Sequence, residues 1–129
     1  MKLRIKGNAV RLRLTQGEVR ALGESGQVEE RTEFPGGTTL LYRVRVDDTK
    51  SNELSISYGN NLIEVQVPAR LAAQWCTSEQ VTLSATAALA AGALEVVLEK
   101  DFACLTPRAG EDESDHFPHP GSAERRGRC

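Results

Sequence analysis

The chain opens with two runs in which charged and apolar residues alternate with a period of two, residues 2–6 (KLRIK) and 10–14 (VRLRL). Such alternation predicts strands with one buried face. Gly7-Asn8 between them signals a two-residue hairpin turn, because those turns need positive φ. Thr15-Gln16-Gly17-Glu18 has capping-box spacing: the threonine hydroxyl accepts from one orphan helix N–H and the glutamate reaches back to another. Val19 and Leu22 give one apolar stripe of a short helix, which Gly23 or Gly26 ends in the left-handed conformation. Residues 28–34 and 38–46 flank Pro35-Gly36-Gly37, a second hairpin.

The same order then recurs. Residues 54–58 and 62–67 flank Gly59-Asn60-Asn61, and Pro68 suits the first position of a helix over 69–75 carrying Leu71, Ala72 and Trp75. Residues 81–87 and 94–99 form a last pair around the small-residue stretch 88–93. The halves align without a gap at an offset of 53. Asn8 meets Asn61, Ser25 meets Ser78, Gln27 meets Gln80, Val28 meets Val81, Leu41 meets Leu94, Val44 meets Val97 and Asp48 meets Asp101. The apolar register agrees: Leu3/Ile56, Ile5/Tyr58, Val10/Ile63, Leu12/Val65, Leu14/Val67 and Leu22/Trp75. Two copies are too few for a solenoid. The pattern predicts a mainly β fold with two short helices, a pseudo-two-fold β-barrel from a duplicated ββαββ unit. Its core should hold Leu3, Ile5, Val10, Leu12, Leu14, Leu22, Val28, Ile56, Ile63, Val65, Leu71, Trp75, Val81 and Val97. The barrel should span 1–105, with copies over 2–48 and 54–101, followed by a flexible tail over 106–129.

At 129 residues the chain fits one small domain. It has no apolar run long enough to span a membrane and no signal-peptide core, so a cytoplasmic protein is expected. Three cysteines, at 76, 104 and 129, are not a disulfide framework. The net charge of −2 conceals an asymmetry: residues 1–50 carry +3, residues 51–105 carry −4 and residues 106–129 carry −1. An anionic partner for the first part is therefore not excluded.

The segments IKGNAVRLRL, NLIEVQVPARLAAQW, EQVTLSA and LEVVLEK resemble the AbrB/MazE-type swapped-hairpin superfamily. The resemblance covers residues 2–101 and implies a strand, a Gly-Asn-type turn, a second strand, a short helix and a final hairpin in each copy. In that superfamily two chains interleave into one barrel, so a chain holding both copies would mimic the dimer. Two positions depart from the pattern: Thr15 stands where the first copy should have proline, and the second copy lacks a basic outer face. The whole chain also resembles a small uncharacterised bacterial family, through KLRIKGNAVRLRL and EKDFACL.

The strongest functional candidate is the first hairpin. A Gly7-Asn8 turn sets Arg4 opposite Arg11 and Lys2 opposite Arg13 on the outer face, with Lys6 near the turn. Like charges directly opposite one another destabilise a ladder, so stability alone would not select this arrangement. Five cations on a ribbon suit phosphates, and a two-stranded ribbon fits a major groove. The resemblance likewise implies Arg4, Lys6, Arg11 and Arg13 as nucleic-acid contacts. The alternative is a solvated face, or one neutralised by Glu18, Glu29, Glu30 and Glu33. The matching outer positions of the second copy, Ser55, Ser57, Glu64 and Gln66, argue against a symmetric two-half-site regulator. Homodimerisation would restore two basic faces.

The tail offers a second candidate. Antitoxins resembling MazE bind a toxin through an acidic C-terminal extension, which points to Glu111, Asp112, Glu113, Asp115 and Phe117. Cys104, Asp112, Asp115, His116, His119 and Cys129 are suitable ligand types without zinc-site spacing, which leaves a metal-binding tail as the lesser alternative and assigns no metal site. Cys76 beside Trp75 reads as a core thiol. No GxSxG, P-loop, HExxH or GxGxxG is present, and the paired carboxylates at 47–48 and 99–101 read as strand-end solvation. The sequence thus predicts a non-catalytic binding or regulatory protein without a cofactor.

Overall fold

The computed structural model describes residues 1–48, 52–102 and 117. The elements run β1 (Lys2–Lys6), β2 (Ala9–Leu14), α1 (Gln16–Ser25), β3 (Gln27–Phe34), β4 (Thr38–Asp47), β5 (Ser55–Gly59), β6 (Leu62–Pro68), α2 (Ala69–Thr77), β7 (Thr82–Leu89) and β8 (Gly92–Lys100). The order ββαββ therefore occurs twice. Each consecutive strand pair is an antiparallel hairpin, as the turn chemistry predicts. Gly7 alone takes positive φ in the first turn, whereas Asn60 and Asn61 both do in the third. These are the patterns of II′ and I′ turns respectively. The last hairpin is longer than its sequence suggests: small residues continue the ladder until Leu89 faces Gly92 across Ala90-Ala91.

Thr15 and Glu18 form the predicted capping box, and Gly26 at φ 86° returns its N–H to the Leu22 carbonyl. Gly23 stays inside the helix. Pro68 does not open α2 but closes β6 and caps the helix from outside, at φ −56° and ψ 141°.

The hairpins assemble into two four-stranded sheets, ordered β1-β2-β8-β7 and β3-β4-β6-β5. Each sheet joins a hairpin from one half to a hairpin from the other, through the parallel pairs β2/β8 and β4/β6. The expected closed barrel is not formed. The ladders stop at β1 and β7 in one sheet and at β3 and β5 in the other, so hydrogen bonding is not continuous around the core.

The ladders also correct the gapless alignment. The offset of 53 holds through the first hairpin of each half, where Leu3 faces Leu12 and Ile56 faces Val65. Beyond the helices, Val28 faces Val44 and Leu83 faces Leu98. Val28 thus corresponds to Leu83 and Val44 to Leu98, not to Val81 and Val97. Two extra residues precede β7, and the β7–β8 turn is one residue shorter than Pro35-Gly36-Gly37. The matches Gln27/Gln80, Val28/Val81, Leu41/Leu94, Val44/Val97 and Asp48/Asp101 therefore fall at non-equivalent ladder positions.

The core lies between the sheets. Leu12, Leu14, Leu22, Val44, Val65, Val67, Trp75, Val96 and Leu98 are its most deeply buried members. Of the expected core, Leu3, Val28, Ile56 and Leu71 pack half-buried against it, and Val81 is half-buried. Val97 is buried but sits between Arg11 and Ser84 on the outward side of the pleat. Ile5 departs outright, at 56% exposed. All four hairpin turns lie at one end of the molecule, because β8 starts beside the start of β2, and β4 beside that of β6. Both helices follow the far ends of β2 and β6 and close the other end. Burial falls off accordingly: Leu14 and Leu12 are sealed, Val10 less so, and Ile5 lies open.

Candidate functional site

The register on β1 and β2 is the one the sequence predicts. Arg4 faces Arg11, Lys2 faces Arg13, and Lys6 faces Ala9 next to the turn. The parallel neighbour β8 adds what no local pattern shows. Arg13 lies beside Glu99, and its Nε donates to Glu99 Oε1 at 2.6 Å. Arg11 Nη1 reaches the same oxygen at 3.4 Å. Lys2 Nζ lies 3.4 Å from Asp101 Oδ2. Of the carboxylates expected to be strand-end solvation, Glu99 and Asp101 are therefore structural partners, and Asp101 is 5% exposed.

The other expected neutralisers lie elsewhere. Glu18 and Glu30 hold the α-ammonium of Met1, the latter at 2.6 Å. Burial alone would lower that group's pKa, but the hydrogen bonds it donates to the two carboxylates leave it raised. Glu29 pairs with Arg43 and Glu33 with Arg31. Among the described residues Arg4 and Lys6 form no ion pair. With Ala9 and Arg11 they line a shallow depression of about 180 Å³. Five expected cations thus resolve into two held by β8 and its end, one shared, and two without an ion pair among the described residues.

The corresponding face of the other sheet has the opposite distribution. Glu64 on β6 accepts from Arg45 Nε and Nη2 at 3.2 and 3.1 Å and from Gln66 Nε2 at 2.6 Å. Arg43 Nε lies 2.9 Å from its second oxygen. The Arg45 hydrogen bonds outweigh burial and hold the Glu64 carboxyl below the usual range. Ser55 and Ser57 bond to Gln66. This face is an internally matched network.

Of the acidic tail, only Phe117 lies within the described residues. Its N–H donates to the Asp101 carbonyl at 2.8 Å, and its ring meets Phe102 edge-on at 5.5 Å. The Lys100 ammonium stands 5.5 Å from both the Phe117 and Trp75 rings and donates to the Ser78 carbonyl at 2.7 Å. Glu111, Asp112, Glu113 and Asp115 lie outside the described residues, as do Cys104, His116, His119 and Cys129. Among the described residues no cluster of His, Cys, Asp or Glu is arranged to hold a metal. Cys76 is half-buried against Gly23 of α1, and burial pushes its thiol pKa up, which disfavours the nucleophilic thiolate.

A feature the sequence reading missed lies at the open end. Ile5, Val10, Leu40, Tyr58, Ile63 and Leu94 line an apolar groove of about 400 Å³, with Ile56. Alternation correctly turned Ile5, Val10, Ile56 and Ile63 inward, but at this end inward means the mouth of the sandwich. The signal available was the opposed position of Ile5 and Tyr58 in the two halves, both next to a turn.

Fold and site together define a mainly β protein of two four-stranded sheets, with one cationic hairpin face and an apolar end. The chain belongs to the family of unknown function DUF7009, whose model matches residues 1–121. No curated protein and no solved structure matches it. No helix among the described residues is long and apolar enough to cross a membrane.

Proposed function

We propose that this is a non-catalytic binding protein that engages the phosphate backbone of a nucleic acid through Arg4, Lys6 and Arg11. The observation that carries this is the direct opposition of Arg4 and Arg11, with neither Arg4 nor Lys6 in an ion pair among the described residues. A ladder optimised for stability would mix the signs. Lys2 and Arg13, already held by Asp101 and Glu99, are secondary.

The AbrB/MazE-like architecture belongs to the same proposal. Its support is the strand order: adding four to each element number of β1-β2-β8-β7, and wrapping past eight, reproduces β5-β6-β4-β3. A tandem duplication with exchanged hairpins accounts for this, the second copy having lost its basic face. The charge on one sheet alone disfavours paired half-sites from a single chain.

Three neutralised phosphates predict a log–log salt slope near −2.7, about a 40-fold affinity loss between about 50 and 200 mM salt. Five would give a slope near −4.5. Fluorescence anisotropy with duplex DNA measures it; on single-stranded RNA the same three contacts give a slope of about −2.1. Arg11→Glu should abolish binding to either. Absence of salt-sensitive binding to both would remove the proposal.

A further inference from the structure

The two sheets end on four edge strands, β1, β7, β3 and β5. Proteins guard such edges with charge, proline, a bulge or shortness, because an open edge accepts another strand. Three of the edges are guarded. β1 carries Lys2, Arg4 and Lys6, β3 carries Glu29, Glu30, Arg31 and Glu33, and β5 is only five residues long. β7 is the exception. Its eight residues, TLSATAAL, contain no charge, proline or glycine. Thr82, Ser84 and Thr86 are exposed, while Leu83 is buried and Ala85 packs against the core. No backbone hydrogen bond joins β7 to β5 among the described residues.

The ladder register fixes which groups face the open side. The Lys100 N–H donates to the Val81 carbonyl at 3.1 Å, which makes Val81 and Lys100 a hydrogen-bonded pair. Such pairs alternate along an antiparallel ladder, so Leu83, Ala85, Ala87 and Leu89 exchange bonds with β8. Thr82, Ser84, Thr86 and Ala88 turn their N–H and C=O groups the other way. The Thr82 carbonyl agrees with this phase, because the Gln80 side-chain amide donates to it from outside the sheet at 3.3 Å. A second copy of β7 matches these groups when it runs antiparallel about a two-fold at Ala85. Ser84 then lies opposite Thr86 of the second copy, Thr82 opposite Ala88 and Leu83 opposite Ala87. Outward backbone groups meet outward backbone groups, inner side chains stay on the inner side, and the Ser/Thr pairs add cross-strand contacts. No charge opposes its like. The guarded edges behave differently: β3 paired with itself about Arg31 would set Glu29 against Glu33, and β1 paired about Arg4 would set Lys2 against Lys6.

We propose that two copies of this chain pair through β7 into one eight-stranded sheet, each copy supplying one basic hairpin to a shared nucleic-acid surface. The two-fold stands perpendicular to the sheet, so both hairpins lie on the same side of it, at its two ends. Seven strand spacings of about 4.8 Å put the two β1 strands about 34 Å apart, near one turn of duplex. Sheet twist inclines the two hairpins to one another, so each meets the duplex as a separate contact. The pairing rests on the β7 edge alone; the shared surface rests also on the reading of Arg4, Lys6 and Arg11 as phosphate contacts.

The test is sedimentation equilibrium of the full chain, whose mass should rise with concentration from 14.1 kDa to twice that value. Ser84→Pro should weaken the dimer at least about tenfold, because it removes one donor from each copy. The Ser84 N–H faces away from β8, where an edge strand tolerates proline, so Trp75 emission should report an unchanged fold. Thr86→Lys, which guards the edge with charge, should act alike and serves as a second probe should proline disturb the strand. A chain that stays monomeric, or a dimer that neither substitution weakens, overturns the proposal. So does a dimer lost in Ile5→Ser alone, which would place association at the apolar end. Salt titration with duplex DNA separates the pairing from the basic face. About six phosphates per dimer should give a slope near −5.4, and Ser84→Pro should return it to about −2.7. A β7 dimer that binds no duplex overturns the shared surface through failure of the basic face, whereas salt-sensitive binding by a monomer overturns the pairing.

Discussion

Single residues set how much of the basic face is available. Glu99 is the arbiter, because one carboxylate oxygen serves both Arg13 and Arg11. Glu99→Gln should release a fourth cation, tighten nucleic-acid binding and steepen the salt slope toward about −3.6, read from the same anisotropy titration. Glu64 plays the reverse part on the other sheet, neutralising Arg43 and Arg45. Its folded pKa lies below the ordinary value, chiefly through the Arg45 hydrogen bonds. The unfolded chain thus binds the proton more readily. The stabilisation is full above the unfolded pKa of about 4.3 and is lost as pH falls through the folded value. Urea midpoints measured against pH should show this acid limb, and Glu64→Gln should flatten it while lowering stability near neutrality.

Elements were legible wherever their signals are local. The capping box, the glycine stop and the first three hairpin turns each depend on residues a few positions apart; each forms, with Gly26 rather than Gly23 as the stop. Thr15→Ala should cost about 1 kcal/mol in chemical denaturation, with the loss of one satisfied N–H. Gly26→Ala should cost about 1–2 kcal/mol, because alanine must then occupy the left-handed region at φ 86°. What the sequence could not show was the pairing of distant strands. Nothing near Arg13 announces that Glu99, 86 residues away, will lie beside it. The slip in the second half has the same origin. The segment from Ser78 to Val81 has no alternation to betray its two extra residues, yet it supplies carbonyls to Lys100 and Trp75. Lys100 thereby occupies the inward position that Val46 holds in the first half. A period of two makes a one-residue slip exchange the faces, so Val97 was assigned inward where Val96 and Leu98 are. The groove was missed for a different reason. Alternation reports which side of a strand is apolar, not whether the sandwich is capped at that height.

At the scale of the whole molecule, the parallel pairing of hairpins from different halves makes the halves mutually dependent. Neither half contains a complete sheet: β1 and β2 need β8, and β3 and β4 need β6. Trp75, the only tryptophan, lies in the second half with no exposure, in a cluster that includes Leu12 and Leu14 from the first. Its fluorescence therefore reports on both. If the sheets form a single cooperative unit, denaturation followed by Trp75 emission and by far-ultraviolet circular dichroism should give one coincident transition. Leu12→Ala, a cavity mutation confined to the first half, should then shift that Trp75 transition by about 2–5 kcal/mol. Two separable transitions, with Trp75 indifferent to Leu12, would mean that the parallel ladders β2/β8 and β4/β6 contribute little. The cooperative outcome also bears on the open end. A molecule sealed by its helices and joined by the parallel ladders β2/β8 and β4/β6 can leave Ile5 and Tyr58 exposed without losing its fold, so Ile5→Ser and Tyr58→Ser should leave the Trp75 transition in place.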